Sequence, residues 1–208
     1  MQYADEAKLA LLNWILMHQA EGTVIGTEVH FLDGRYRADI VTASRKRLCA
    51  IEIKGPKDDL RRLARQLNGY RQSFLEVYIA TTAGHLDEAR ALIPRSVGIL
   101  IVSRNEIELL RQSQIRRRFT KEESLSWLKT DDLRQLLRGK SIQRELLKDI
   151  IELRSAVKRL FTVEQLSTLA LESVHKRLGR RFEAFLRERG KSINYDDLQM
   201  LQLPDRVV

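Results

Sequence analysis

A single cysteine, Cys49, stands in 208 residues, so no intramolecular disulfide can form. That excludes a stapled secreted scaffold and fits a reducing compartment such as the cytoplasm. Zinc-ligand spacing is missing too, because His18, His30, His85 and His175 are scattered along the chain. Long apolar runs are absent: Gly98-Ile99-Leu100-Ile101-Val102 falls far short of the ~20 residues that span a bilayer. The first residues carry Asp5 and Glu6 and repeat Leu9, Leu12 and Leu16 at helical spacing. This pattern predicts an amphipathic core helix rather than a secretory leader, and no membrane partner is expected. Gly139-Lys140-Ser141 mimics the end of a phosphate-binding loop, but Arg134 stands where the loop needs its first glycine, and the segment follows a helix.

Charge is abundant and unevenly placed. Lys plus Arg number 37 against 28 Asp plus Glu, a net charge of +9. Residues 1–110 contribute about +1 of this and residues 111–208 about +8, a footprint expected of a polyanion partner. With 43% hydrophobic residues, the chain can bury one good core, or one core plus a smaller appended unit.

Organisation changes near residue 111. The first part alternates: helix over 4–18, strands over 23–31, 35–43 and 48–54, helix over 57–73, strand over 76–82, helix over 85–92, and strands over 97–103 and 106–111. The expectation is an α/β domain over 1–111, a mixed sheet flanked by helices, with strand 76–82 parallel to strand 48–54. A basic linker over 112–118 follows, then a helical basic domain over 119–192 with helices over 121–128, 130–138, 141–153 and 163–189. The last stretch, 193–208, reads as a tail. Thr120 with Glu123 and Thr162 with Gln165 have capping-box spacing.

Two short alternating runs carry the chemistry: Arg37-Ala38-Asp39-Ile40-Val41 and Ala50-Ile51-Glu52-Ile53-Lys54. Both read as strands joined by the polar loop Ser44-Arg45-Lys46-Arg47. Residues two apart share a face, so Glu52 and Lys54 emerge together while Cys49, Ile51 and Ile53 point the other way, leaving Cys49 as a core thiol. A regular hairpin turning between Arg45 and Lys46 places Asp39 directly across from Glu52. Opposed Cβ atoms lie about 4.5–5.5 Å apart, where two like charges repel. A cation reverses that sign, and Mg²⁺ is usually held by one or two carboxylates while keeping several waters. Lys54 could hold the attacking water or stabilise phosphate charge.

These residues resemble the PD-(D/E)XK nuclease superfamily over roughly the first half of the chain. Gln66-Leu67-Asn68-Gly69-Tyr70 is similar to the QxxxY element of RecB-like members, and the whole core looks like a family of small bacterial and phage proteins. Ala38 departs from the proline of the superfamily name. The resemblance implies a restriction-endonuclease-like fold with Asp39, Glu52 and Lys54 as catalytic residues. Mg²⁺, or Mn²⁺ in its place, would be held by Asp39, Glu52, the Ile53 carbonyl and Glu28. Gln66 and Tyr70, four apart on one helix, would support the site. His30 is the histidine nearest to it in the sequence pattern. Gly69 inside that helix suggests close approach of another backbone or a nucleic-acid strand. Arg61, Arg62 and Arg65, with Arg116, Arg117 and Arg118, are the expected nucleic-acid contacts. The expected function is Mg²⁺-dependent hydrolysis of DNA phosphodiesters, for which a two-fold dimer would suit double-strand cleavage. The alternative is a catalytically inactive nucleic-acid-binding or protein-interaction module on the same fold.

Overall fold

Alternation of β-branched and polar residues through the first half produces the strands, and amphipathic segments between them supply the covering helices. The computed structural model describes residues 3–103, 106–140 and 149–203. Helix α1 (Tyr3–His18) leads into β1 (Val24–Phe31), β2 (Tyr36–Ala43) and β3 (Leu48–Lys54). A 3-10 turn at Leu60–Arg62 and helix α2 (Leu63–Ser73) cross to β4 (Glu76–Thr81); α3 (Leu86–Leu92) crosses to β5 (Gly98–Val102), and β6 (Ile107–Arg111) returns antiparallel. The six strands lie in sequence order. β3, β4 and β5 are mutually parallel, and the remaining pairs are antiparallel, the expected mixed sheet flanked by helices.

The β2–β3 hairpin turns where the sequence places it. Ser44 N–H donates to the Arg47 carbonyl at 2.8 Å, and Ile40 opposes Ile51, Val41 opposes Ala50 and Ala43 opposes Leu48. The paired ladder ends at Ile40 and Ile51, with Asp39 and Glu52 the next residue on each strand. On the other side of β2, Thr27 opposes Ile40 and Val29 opposes Ala38, which sets Glu28 level with Asp39.

Beyond β6 the chain is helical: α4 (Lys121–Trp127), α5 (Thr130–Leu137), α6 (Ile150–Leu160), α7 (Val163–Glu188) and α8 (Tyr195–Leu201). The predicted capping boxes at Thr120 and Thr162 both form. Of the expected helix over 141–153, positions 141–148 lie outside the described residues, and α6 begins at Ile150.

The packing runs across the expected boundary at 112–118. Leu171, Val174, Leu178, Phe182 and Phe185 of α7 recur at helical spacing and join the same buried cluster as Ile25, Val41 and Ala50 of the sheet. Gly26 lets α7 approach the sheet: a Cβ there would stand 2.5 Å from Leu178 Cδ2. Trp127 donates its indole N–H to the Ser73 carbonyl at 2.7 Å and packs edge-on to Phe74. Leu125, Leu128, Leu133, Leu153 and Leu166 form a second, smaller cluster among the helices. The expected tail is structured over 195–201. Asn194 caps α8, Leu198 and Leu201 are buried, and the Thr27 hydroxyl donates to the Leu198 carbonyl at 2.8 Å. Among the described residues no helix is long and apolar enough to cross a membrane.

Candidate functional site

Three strands bring one acidic residue each to the same level: Glu28 on β1, Asp39 on β2 and Glu52 on β3. β1 is irregular at this point. Glu28 takes a positive φ of 52°, a conformation uncommon outside glycine, and interrupts the ladder between two regular pairs. Non-glycine residues held in that region cluster at functional sites, where packing over-determines a strained backbone. β2 and β3 also part here: Asp39 Oδ2 accepts the Ile53 N–H at 2.7 Å, so a side chain replaces a ladder bond.

The neighbours of this row come from several elements. Lys54 Nζ donates to Glu52 Oε1 at 2.8 Å, as the shared strand face requires. Tyr70, buried on α2, donates its hydroxyl to Glu52 Oε2. Gln66 lies one helical turn earlier on the same helix and is half-buried. Lys8 of α1 donates to Glu28 Oε1 and lies 3.6 Å from Asp39 Oδ1. Arg37 Nε lies 2.6 Å from Glu28 Oε2, a charge contact without hydrogen-bond alignment.

Electrostatics single out Asp39. Burial, and then the charge of Glu52, raise its carboxyl to about 7, against the opposing pull of the Ile53 N–H and Lys8. Burial and the same carboxylates hold the Tyr70 phenol well above its usual 10, so it stays a donor. Burial alone would lower the Lys8 ammonium, but its bond to Glu28 and the charge of Asp39 raise it. At Asp39, burial and the neighbouring Glu52 outweigh the Ile53 N–H and Lys8.

Such a donor set suits a hard divalent ion in kind: facing carboxylates that repel, one of them with Oδ1 making no hydrogen bond to any described residue. In the closed arrangement described, both Glu52 oxygens are engaged by Lys54 and Tyr70. No three His, Cys, Asp or Glu side chains among the described residues converge as a ready metal cage. The Ile53 N–H is committed to Asp39.

The expected nucleic-acid contacts divide. Arg61 pairs with Asp59, Arg118 pairs with Glu164, and Arg116 is folded inward onto Glu123 and the Phe74 carbonyl. These three are engaged within the protein, Arg61 and Arg118 on its exposed surface and Arg116 half-buried. Arg62, Arg65 and Arg117 are exposed. Gly69 meets no approaching strand: a Cβ there would lie 2.9 Å from the ring of Tyr36, so the glycine seats an aromatic side chain. Cys49 lies away from the row, and burial raises its thiol.

Two features escaped the sequence reading. Lys8 could not be linked to Glu28 without knowing how α1 crosses the sheet. A basic cleft of about 430 Å³ lies between α5, α7 and β1, lined by Lys129, Lys176, Arg177, Arg180, Arg181 and His30. Its signal was legible as Lys176-Arg177-x-x-Arg180-Arg181, two adjacent columns along one helix.

The model of the bacteriophage P4 protein cII family matches residues 1–202. The chain belongs to this family. Protein cII of Enterobacteria phage P4 is 24% identical over 210 residues, covering 97% of this chain and 78% of the relative. Because the family match takes in sheet and helices together, the helical half belongs to what defines the cII family. Among solved structures, a protein of unknown function from Silicibacter pomeroyi is similar with a TM-score of 0.48 and 19% identity, over 68% of this chain and 93% of that one.

Proposed function

We propose that this cII-family protein is a PD-(D/E)XK-type nuclease that hydrolyses DNA phosphodiesters with Mg²⁺, Mn²⁺ being the expected substitute. The observation that carries the reading is the acidic row on β1, β2 and β3, with Lys54 and Tyr70 hydrogen-bonded to Glu52 and Asp39 raised to about 7. Asp39 and Glu52 would hold the ion, with the Ile53 carbonyl and Glu28 as further oxygen donors. The ion would supply Lewis acidity toward the phosphodiester and acidity for the attacking water.

The remaining steps belong to the protein. Lys54 is placed to orient the water or to offset charge on the phosphate once its bond to Glu52 is shared. Tyr70, kept protonated, fixes Glu52 from the opposite oxygen. Lys8 holds Glu28 and balances part of the charge on Asp39.

A second reading is a nucleic-acid-binding module without catalysis. It is favoured by the double engagement of Glu52 and by the lack of a three-ligand cage among the described residues. One experiment separates the two. Linear, circular and single-stranded DNA are incubated with and without Mg²⁺, using the parent, Asp39→Ala and Lys54→Ala. The nuclease reading expects Mg²⁺-dependent cleavage, lost by at least ~10³-fold in both variants; loss of a single preorganised transition-state donor already costs about 10²–10³. Parent protein that leaves every substrate intact, or variants that cleave like it, would favour the module.

A further inference from the structure

We infer that the cleft between α7, the start of α5 and β1 grips a nucleic-acid phosphodiester backbone. Lys176, Arg177, Arg180 and Arg181 occupy two adjacent columns of α7, and Lys129 faces them from the start of α5. Residues four apart on a helix are ~6 Å apart along its axis, so positive groups recur along the wall rather than meeting at a point. Among the described residues the one acidic side chain lining the cleft is Asp132, whose Oδ2 accepts the Ser173 hydroxyl at 2.9 Å.

The lining is built in two layers. Arg177 is fixed by the Ser173 and Trp127 carbonyls, at 3.3 and 3.0 Å, and lies over the Trp127 ring. Arg181 donates to the Met200 carbonyl at 3.2 Å. These bonds hold both guanidinium groups in place along the wall. Above them, Lys129, Lys176 and Arg180 are exposed and make no ion pair with any described residue. Like charges repeated along one wall repel one another, and a polyanion relieves that repulsion while releasing its own counterions. An extended backbone suits the lengthwise repetition better than a single small anion does.

The cleft also adjoins the acidic row. His30 lines it and Glu28 belongs to the row, two residues apart on β1 and therefore ~7 Å along the strand. A backbone lying in the cleft would run toward the row. That this strand is the substrate rests on the nuclease reading; the grip itself does not.

The test is the exposed double variant Lys176→Glu/Arg180→Glu, with Arg90→Glu/Arg95→Glu as a charge-matched control far along the sheet. Binding of labelled single- and double-stranded DNA and RNA of one sequence is measured in EDTA across a salt series, so no cleavage can intervene. Thermal melts verify that both variants stay folded. The cleft variant is expected to weaken binding at least tenfold and to reduce the salt slope on duplex DNA by about 2, roughly 0.9 per lost phosphate contact. The control should stay within twofold of the parent, and the four nucleic acids show which backbone is preferred. Unchanged binding in the cleft variant, equal loss in the control, or no nucleic-acid binding by the parent would each overturn the assignment. None of these outcomes depends on whether Asp39→Ala abolishes cleavage, so the grip and the catalytic reading fail separately.

Discussion

Strand β3 passes two buried carboxylate sites, and they are solved in opposite ways. At its start, Cys49 pairs with Glu76 of β4, whose side chain is 1% exposed and receives both Nε and Nη2 of Arg47. Near its end, Glu52 lies beside Asp39 and Glu28, where three carboxylates share two lysines, an arginine and a tyrosine. The first site is closed: one acid, one matched guanidinium, and fork geometry that satisfies both oxygens. The second balances in number but not in pairing: Asp39 Oδ1 lies 3.6 Å from the nearest ammonium, and burial beside Glu52 raises its carboxyl to about 7. A buried carboxylate alone therefore does not mark a site in this protein; converging carboxylates, one of them raised above its usual range, do.

The sharpest way to break this contrast is to unbalance the closed pair. Arg47→Met leaves Glu76 buried without its cation and is expected to cost about 3–5 kcal/mol, read from chemical denaturation. Removing both charges in Arg47→Met/Glu76→Gln should recover most of that loss, because the penalty belongs to the orphaned partner. If the single variant costs under about 1 kcal/mol, the pair is not what keeps Glu76 charged and buried.

Asp39 should respond with the opposite sign. Its carboxyl is raised from 3.8 to about 7, so between those values the folded state holds a proton that the unfolded chain has released. Stability conferred by that proton is present below about pH 4 and is lost as pH rises toward 7. Asp39→Asn keeps the oxygen that accepts the Ile53 N–H and removes the charge. At pH 8 without metal it should be more stable than the parent by roughly 2–3 kcal/mol, one pKa unit being worth about 1.4 kcal/mol and the side chain being partly exposed. The advantage should vanish near pH 4. Equal stability at both pH values would mean that Glu52 and burial do not strain this carboxylate.

Much of this contrast could be read from the residues alone, and the limits of that reading are physical. The Asp39–Glu52 juxtaposition follows from local facts, a two-residue periodicity and a short polar loop, and β2 pairs with β3 in the expected register. The left-handed backbone at Glu28 left no such trace, because that conformation at a glutamate is imposed by packing rather than by propensity. Lys8 is 20 residues from Glu28, and its role depends on where α1 lies. The apolar stripe of α7 was readable, but not that it would cover β1 and β2, since a stripe says that a face is buried and not by what. Helix α8 carried a signal that went unused: Asn194 and Asp197 have capping-box spacing, and a true tail has little need of one.

The smallest expected effect tests the bond that ties the acidic row to α2. Tyr70→Phe keeps the ring among Phe31 and Phe74 and removes only the hydroxyl that reaches Glu52. A buried acceptor that loses its donor costs about 1–3 kcal/mol, and here Lys54 still satisfies the other oxygen, so the lower end is expected. On the nuclease reading proposed above, the variant should need more Mg²⁺ for half-maximal cleavage while the saturating rate falls less than tenfold, because Tyr70 would fix a ligand rather than face the phosphodiester. If instead the Mg²⁺ requirement is unchanged and the saturating rate collapses, Tyr70 acts on the reacting phosphate itself, and the division between ligands held by α2 and charges supplied by Lys54 would have to be redrawn.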